Sequence, residues 1–396
     1  MVVLVWALGA REGLWLAAVA MIPLREAISI DFMGTASIFF TDLLILALLP
    51  WTIQEARLRR LWRESNVFRL GLVLLALSLP GLYTATRLFW GVTSVYRILV
   101  QTAFFMTAFS IVRSGQAAKR TLLAVLLGLL PTVAFGLYQT TLPAGSPLPD
   151  WAVKNLTYEL GGEEHLRIVS TFDNALNFSH YLSAAIGIAL GLCLSRPRGA
   201  QTAALLALTA SLVYANLFTY TVGGILGMGS ALAIFLTRKP ARRVALVVVP
   251  LLIVVWFLVA PPALVLKAET VFEGRAAASA ARIVTYKQAL DILRDHPWLG
   301  VGWGGIWTRF EQDYRLTRAS QVGFGAENYF LQRAVALGLP GLAIYIALCV
   351  LFFRNVKRMP NEDSPDPWPR AALLACGVAF YVQAQTFPAA DESANY

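Results

Sequence analysis

Glu327, Asn328 and Arg282 are residues of this chain whose types and positions could do chemistry. Glu327 and Asn328 stand just before an apolar run that opens at Tyr329, where the unpaired amides and dipole of a helix start favour a negative charge. Arg282 belongs to a stretch from Ala278 to Asp295 in which Ile283, Tyr286, Leu290 and Leu293 recur at spacings of three and four, the period of a helix that Pro297 ends. At about 100° per residue, position 282 borders that apolar stripe and Asp291 and Asp295 lie opposite, so the arginine leans toward whatever the helix packs on. A carboxylate within reach of a hydroxyl can take its proton. A guanidinium fork matches phosphate oxygens and stays charged without a metal. Each residue also has a plainer reading: Glu327 as an acid that improves a helix start, Arg282 as an arginine lying along apolar surface with its head in water.

Between them runs Asp295-His-Pro-Trp-Leu-Gly-Val-Gly-Trp-Gly-Gly305. Gly300, Gly302, Gly304 and Gly305, interleaved with Trp298, Trp303 and Trp307, predict a tight turn with interfacial aromatics. Gly300, Gly302 and Gly305 formally satisfy a dinucleotide fingerprint. No strand precedes them and no βαβ unit surrounds them, so that reading is rejected.

The elements that must position these residues are membrane spans. The chain is 57% hydrophobic and only 14% charged, with mean hydropathy +0.62, far from the roughly 25% charged of soluble domains. Residues 201 to 237 carry no charge; as one helix they would be about 55 Å long, nearly twice a ~30 Å hydrocarbon core, so a turn is expected near Thr219 to Gly224. The same reading along the chain predicts eleven spans, near residues 12 to 24, 36 to 53, 67 to 86, 88 to 112, 120 to 142, 175 to 194, 201 to 218, 222 to 237, 243 to 262, 329 to 353 and 371 to 387. The first is read as an uncleaved helix, because no basic region or small-residue cleavage site marks a signal peptide.

The basic residues cluster at Arg57 to Arg69, Arg113 to Arg120, Arg196 and Arg198, Arg238 to Arg243, and Arg354 to Arg358, all on one side of the count. That excess marks the cytoplasmic side, which leaves residues 143 to 174 and 263 to 328 as external loops of a single membrane domain, 1 to 396. The net charge of +10 is then largely a topology signal with a contribution from anionic lipid, and gives no support to nucleic-acid binding. Cys193, Cys349 and Cys376 fall in spans without Cys-x-x-Cys spacing, which argues against a disulfide or zinc site. Glu163-Glu-His165 and Glu311-Gln-Asp313 read as solvated acidic loop residues rather than metal sites, and His180 and His296 as structural or interfacial. Asp42 and Arg97, charges inside spans, are expected to pair with each other or to line an outward cavity.

These motifs resemble those of the bacterial O-antigen ligase and O-antigen polymerase superfamily, integral-membrane glycosyltransferases that use polyprenyl-pyrophosphate-linked glycans. The likeness covers most of the chain and is strongest from Arg275 to Phe353. Arg167-Ile-Val-Ser-Thr-Phe-Asp-Asn174 looks like that family's external approach to the sixth span. Phe218 to Gly227 looks like its Thr-x-Ser-Arg-Gly-Gly hairpin, with Thr221 for the serine and Val222 for the arginine. Glu327 stands where the ligases usually carry histidine, and the Glu-Asn form looks like the version in several polymerase-like branches.

The resemblance implies an all-α polytopic fold of about eleven transmembrane helices, GT-C-like, with short helices in the large external loop between spans nine and ten. It implies an inverting transfer from a polyprenyl-pyrophosphate-linked oligosaccharide donor to a glycan or glycolipid acceptor, without metal or cofactor, at the periplasmic face of the bacterial inner membrane. Glu327 is then the base and Arg282 the principal diphosphate contact. Arg275 and Arg167 are auxiliaries, one of them substituting for the arginine absent at Val222, and Asn328 is an orienting donor or acceptor. Polymerase is favoured over ligase. The resemblance also implies a further span beyond Tyr396. A lipid-linked glycan flippase and a catalytically inactive glycolipid binder are the alternatives, the second prompted by Val222.

Overall fold

The computed structural model describes residues 9–24, 29–32, 36–56, 58–83, 88–143, 146, 157–160, 163–172, 174–193, 195, 199–237, 277–306, 309, 328–359 and 368–385. Its helices are α1 (Ala10–Met21), α2 (Phe40–Ala56), α3 (Leu58–Glu64), α4 (Asn66–Ser78), α5 (Pro80–Tyr83), α6 (Leu88–Ile111), α7 (Gly115–Thr140), α8 (Ala175–Cys193), α9 (Gly199–Leu217), α10 (Val222–Leu236), α11 (Ala277–Asp295), α12 (Tyr329–Lys357) and α13 (Trp368–Ala384). Helices stand at every predicted span except 243 to 262, which lies outside the described residues. Among the described residues six helical segments are long and apolar enough to cross a membrane: 66–83, 88–111, 115–140, 175–193, 199–217 and 329–357. The architecture is that of a helical polytopic membrane protein. The extended pieces are two short antiparallel hairpins, β1 (Ser29–Phe32) with β2 (Ala36–Phe39) and β3 (Thr157–Leu160) with β4 (Glu163–Leu166).

Three expectations are corrected in detail. The helix of the first predicted span ends at Met21, so at twelve residues it falls short of the ~20 that a perpendicular crossing needs. The second begins at Phe40 because Ala36–Phe39 pairs as a strand instead. In α11 the buried positions are Thr285, Ala289 and Ile292, whereas Ile283 and Leu290 of the predicted stripe are more than half exposed. The buried stripe therefore runs through Thr285, Ala289 and Ile292, and Ile283 and Leu290 are left on the outer face of α11.

The core is built around α8, buried along most of its length against α7, α9, α10 and α13. Small residues permit this. A Cβ at Gly187 would lie 3.1 Å from the Cys376 backbone nitrogen, and one at Gly191 would lie 2.9 Å from the Ala372 Cα, so side chains there would force α13 away. These pairings make α8 and α13 antiparallel. By contrast α1 runs parallel to α7, joined by Arg120 to Glu12 (2.9 Å) and by the Trp15 indole donating to Thr121 Oγ1 (3.0 Å). One end of the bundle therefore carries Arg120 and Lys119, the latter donating to Ser195 at 3.0 Å. The other collects residues 167–172 and 174, the α9–α10 turn and the last turn of α13.

Asp42 and Arg97 meet as a buried ion pair, Nη1 to Oδ2 at 2.6 Å, and the guanidinium lies 4.1 Å from the Phe39 ring centroid. The Tyr96 hydroxyl adds a longer donation to Asp42, 3.4 Å. Removing one member of such a pair strands a charge in the low-dielectric interior. Asp42→Ala is expected to destabilise the protein by about 3–5 kcal/mol, read as a loss of thermal stability in detergent; unchanged stability would refute the structural role of the pair.

Candidate functional site between the α9–α10 turn, α11 and the start of α12

The turn at residues 218–221 joins α9 to α10 with Tyr220 at φ 51°, a left-handed conformation for a non-glycine residue. Hydroxyls and amides hold it. Thr221 donates to Ser179 (2.8 Å), Ser179 to Asn216 Oδ1 (2.7 Å), and Gln383 Nε2 to Ser183 (2.6 Å), tying α8, α9, α10 and α13 together. Gly224 leaves the room for this network, because a Cβ there would sit 2.9 Å from Asn216 Oδ1. Burial pushes the Tyr220 phenol pKa up, with Tyr214 adding to the effect.

Arg167 docks on this turn. Its Nε donates to the Thr219 carbonyl at 2.7 Å, and the next amide, Ile168, donates to the Phe218 carbonyl at 3.1 Å. Val222, at the position where the resemblance leads one to expect an arginine, is the first residue of α10 and half-buried. The guanidinium of Arg167 is thus fastened at Thr219, three residues before the place of the missing one.

The second half of the site is organised by a break in α12. Gly338 adopts φ 69°, ψ −170° inside the helix, a conformation open essentially to glycine alone. Pro340 removes the donor that Ala336 would otherwise receive. The groups freed by the break are satisfied by the glycine turn after α11. Val301 N donates to the Val335 carbonyl (2.9 Å), Gly302 N to Ala336 (3.0 Å), and Leu339 N to the Pro297 carbonyl (2.7 Å). Gly300 and Gly302 have φ of 63° and 72°, and Gly302 lies against Gly81 of α5. Ala289, Ile292, Val301, Trp303 and Ile306 share one buried cluster with Val335, Ala336 and Leu337, so α11, the turn and α12 pack as a unit.

Asn328 caps α12, its Oδ1 accepting from Phe330 N (3.0 Å) and Leu331 N (3.1 Å). Its Nδ2 donates to the Gln385 carbonyl and Oε1, both at 3.2 Å, and the Tyr286 hydroxyl of α11 donates to the same carbonyl at 3.1 Å. The residue after Glu327 and the residue one turn after Arg282 thereby meet at the last turn of α13. Position 282 falls about 60° around the helix from buried Thr285, on the side toward Tyr286. Both ends of the Asn328 amide are engaged within the protein, which makes it the fastener of this junction. Glu327 and Arg275 lie outside the described residues. Arg282 is described only as a position on α11. Among the described residues no group of three or more His, Cys, Asp or Glu side chains is placed to hold a metal.

Gln383 hydrogen-bonds Ser183 and the Gly224 carbonyl, and Gln385 bonds Asn328, so α13 connects the hairpin on which Arg167 docks to the junction of α11 with α12. Residues 205–346 match the family described as O-antigen ligase. Among curated proteins none matches the chain. The O-antigen ligase match spans the hairpin, α11, the glycine turn and both halves of α12 up to Ile346, the elements that form the site. It supports a membrane glycosyltransferase of the O-antigen ligase and polymerase type, acting on glycan and lipid-linked substrates in polysaccharide biosynthesis. Arg167 and Gln385 lie outside the matched segment and reach its site through tertiary contacts.

Sequence reasoning passed over Tyr286 as a contact, Gln385, and Arg333. Arg333 lies in α12 only five residues after Asn328, and an arginine within an apolar run was the available signal.

Proposed function

We propose that the protein transfers or polymerises a glycan from a polyprenyl-pyrophosphate-linked donor onto an acceptor hydroxyl, at the outer face of the bacterial inner membrane, with inversion and without a metal. It acts as one membrane domain with external loops 143–174 and 263–328. Glu327 takes the acceptor proton while the new bond forms at the anomeric carbon. The bond from that carbon to the diphosphate oxygen breaks, and the leaving polyprenyl diphosphate is held by Arg282, assisted by Arg275 and Arg167. The departing diphosphate is already a stable anion, so cations that hold it serve better than a strong acid. Polymerisation is the preferred form of the reaction because Glu327 replaces the histidine usual in the ligases.

The observation that carries this reading is the shared Gln385 carbonyl, where Tyr286 of α11 and Asn328 at the head of α12 meet. It supports a common site for the guanidinium and carboxylate that flank them in sequence. The helix start adds a dipole of the sign that favours an anion.

Reconstitution in liposomes with a lipid-linked oligosaccharide donor and a glycan acceptor tests the proposal. The wild type is expected to form glycosidic bonds, and Arg282→Ala to lower kcat/KM by about 10²-fold, the scale for removing one transition-state donor. Movement of labelled lipid across the bilayer without a new glycosidic bond would replace the reading with a flippase. Full activity in Arg282→Ala would remove that residue from the site.

A further inference from the structure

We propose that Arg333 is a positioning residue whose caged guanidinium clamps the glycine turn, and with it the α11 arm bearing Arg282, onto the head of α12 that follows Glu327. Its catalytic consequence rests on the glycosyltransferase reading, whereas its mechanical consequence stands on geometry alone.

Arg333 is 3% exposed. Its Cζ lies 4.6 Å from the Trp303 ring centroid, 4.7 Å from Tyr329 and 4.7 Å from Tyr345. The rings come from different pieces of the site. Trp303 belongs to the glycine turn, Tyr329 opens the first half of α12, and Tyr345 lies beyond the break at Gly338. Backbone hydrogen bonds from Val301, Gly302 and Leu339 stitch the turn to the break, but that stretch of backbone contains Gly300, Gly302 and Gly338, all at positive φ. Glycines allow that path and do little to stiffen it.

A cation shared by the three rings supplies what the backbone lacks. The negative face of each ring attracts the guanidinium, and its flat shape lets it lie against several rings at once. Trp303 is in turn fixed from behind, its indole donating to Ser78 of α4 at 3.4 Å. Packing alone would be met by a methionine of similar length. A buried cation in an apolar helix is costly unless its charge is used, and here the rings use it.

Hydrogen exchange and transfer kinetics on the full chain test the clamp. Relative to wild type, Arg333→Met is expected to exchange roughly 10-fold faster at the Val301 and Gly302 amides, with α8 amides unchanged. Its kcat per folded molecule is expected to fall about 10- to 100-fold, the scale for a misaligned reacting group, with a smaller change in donor KM. Arg333→Lys, which keeps the charge, is expected to recover part of both losses. Wild-type exchange at Val301 and Gly302 in Arg333→Met, or a loosened turn with wild-type kcat, would overturn the proposal. If Arg333→Met does not fold, Trp303→Phe carries the same two readouts, with smaller changes in the same direction; no change in either overturns the clamp. A wild-type protein that forms no glycosidic bond defeats the function proposed above, and the exchange measurement still decides whether the clamp exists.

Discussion

Glu327→Gln protein is expected to form glycosidic bonds about 10²- to 10⁴-fold more slowly than wild type, the range associated with a lost general base. Glutamine matches glutamate in size and keeps hydrogen-bonding groups, but it cannot accept the acceptor's proton. The substitution is informative because the structural duty at this helix start is already met. Asn328 supplies the cap with Oδ1 and anchors to Gln385 with Nδ2. Removing the charge at 327 is therefore expected to change thermal stability by no more than about 1 kcal/mol, the size of a helix-dipole contribution. Single-turnover transfer in proteoliposomes, with donor binding measured separately, checks it: the rate constant falls and donor binding stays close to wild type. Folded Glu327→Gln protein transferring glycan at the wild-type rate would end the assignment.

Gly338→Ala is expected to destabilise the protein by about 3–5 kcal/mol, at the upper end of single substitutions. Two effects add. At φ 69° and ψ −170° an alanine occupies a region that only glycine visits readily. Its Cβ would also stand 2.6 Å from the Pro297 carbonyl oxygen and 2.6 Å from that of Trp298. Neither carbonyl can retreat cheaply, because Pro297 accepts from Leu339 and the turn beyond Trp298 is bonded to Val335 and Ala336. The expected result is a lower unfolding temperature in detergent together with loss of transfer, since the turn that steadies α11 is displaced. Alanine at 338 with wild-type stability would mean that the break in α12 is not needed.

Much of this could be read in the sequence because lipid imposes a simple rule. Backbone polar groups must be satisfied within each span, so long uncharged runs become helices, and the run from 201 to 237 had to turn because it is too long for one crossing. The Asp42–Arg97 pair was legible for the same reason, since isolated charges in a span are costly. The face of α11 was not legible. A period of three and four identified the helix, but apolar residues can face lipid as well as protein, so burial went instead to Thr285, Ala289 and Ile292. Likewise nothing local in the chain announced that the Asn328 amide would bond both the cap amides and Gln385.

The sequence by itself determined the helical polytopic architecture, the family resemblance and the types of residue available for chemistry, because hydropathy and motif spacing are local properties. Tertiary structure decided which distant segments meet. Arg167 reaches the hairpin across 52 positions, and Tyr286 and Asn328 converge on a carbonyl 99 and 57 positions away. Those meetings depend on small-residue contacts such as Gly187 with Ala375 and Gly191 with Ala372, and on a glycine turn completing a broken helix. Both are matters of shape between distant segments, which no periodicity in the chain encodes.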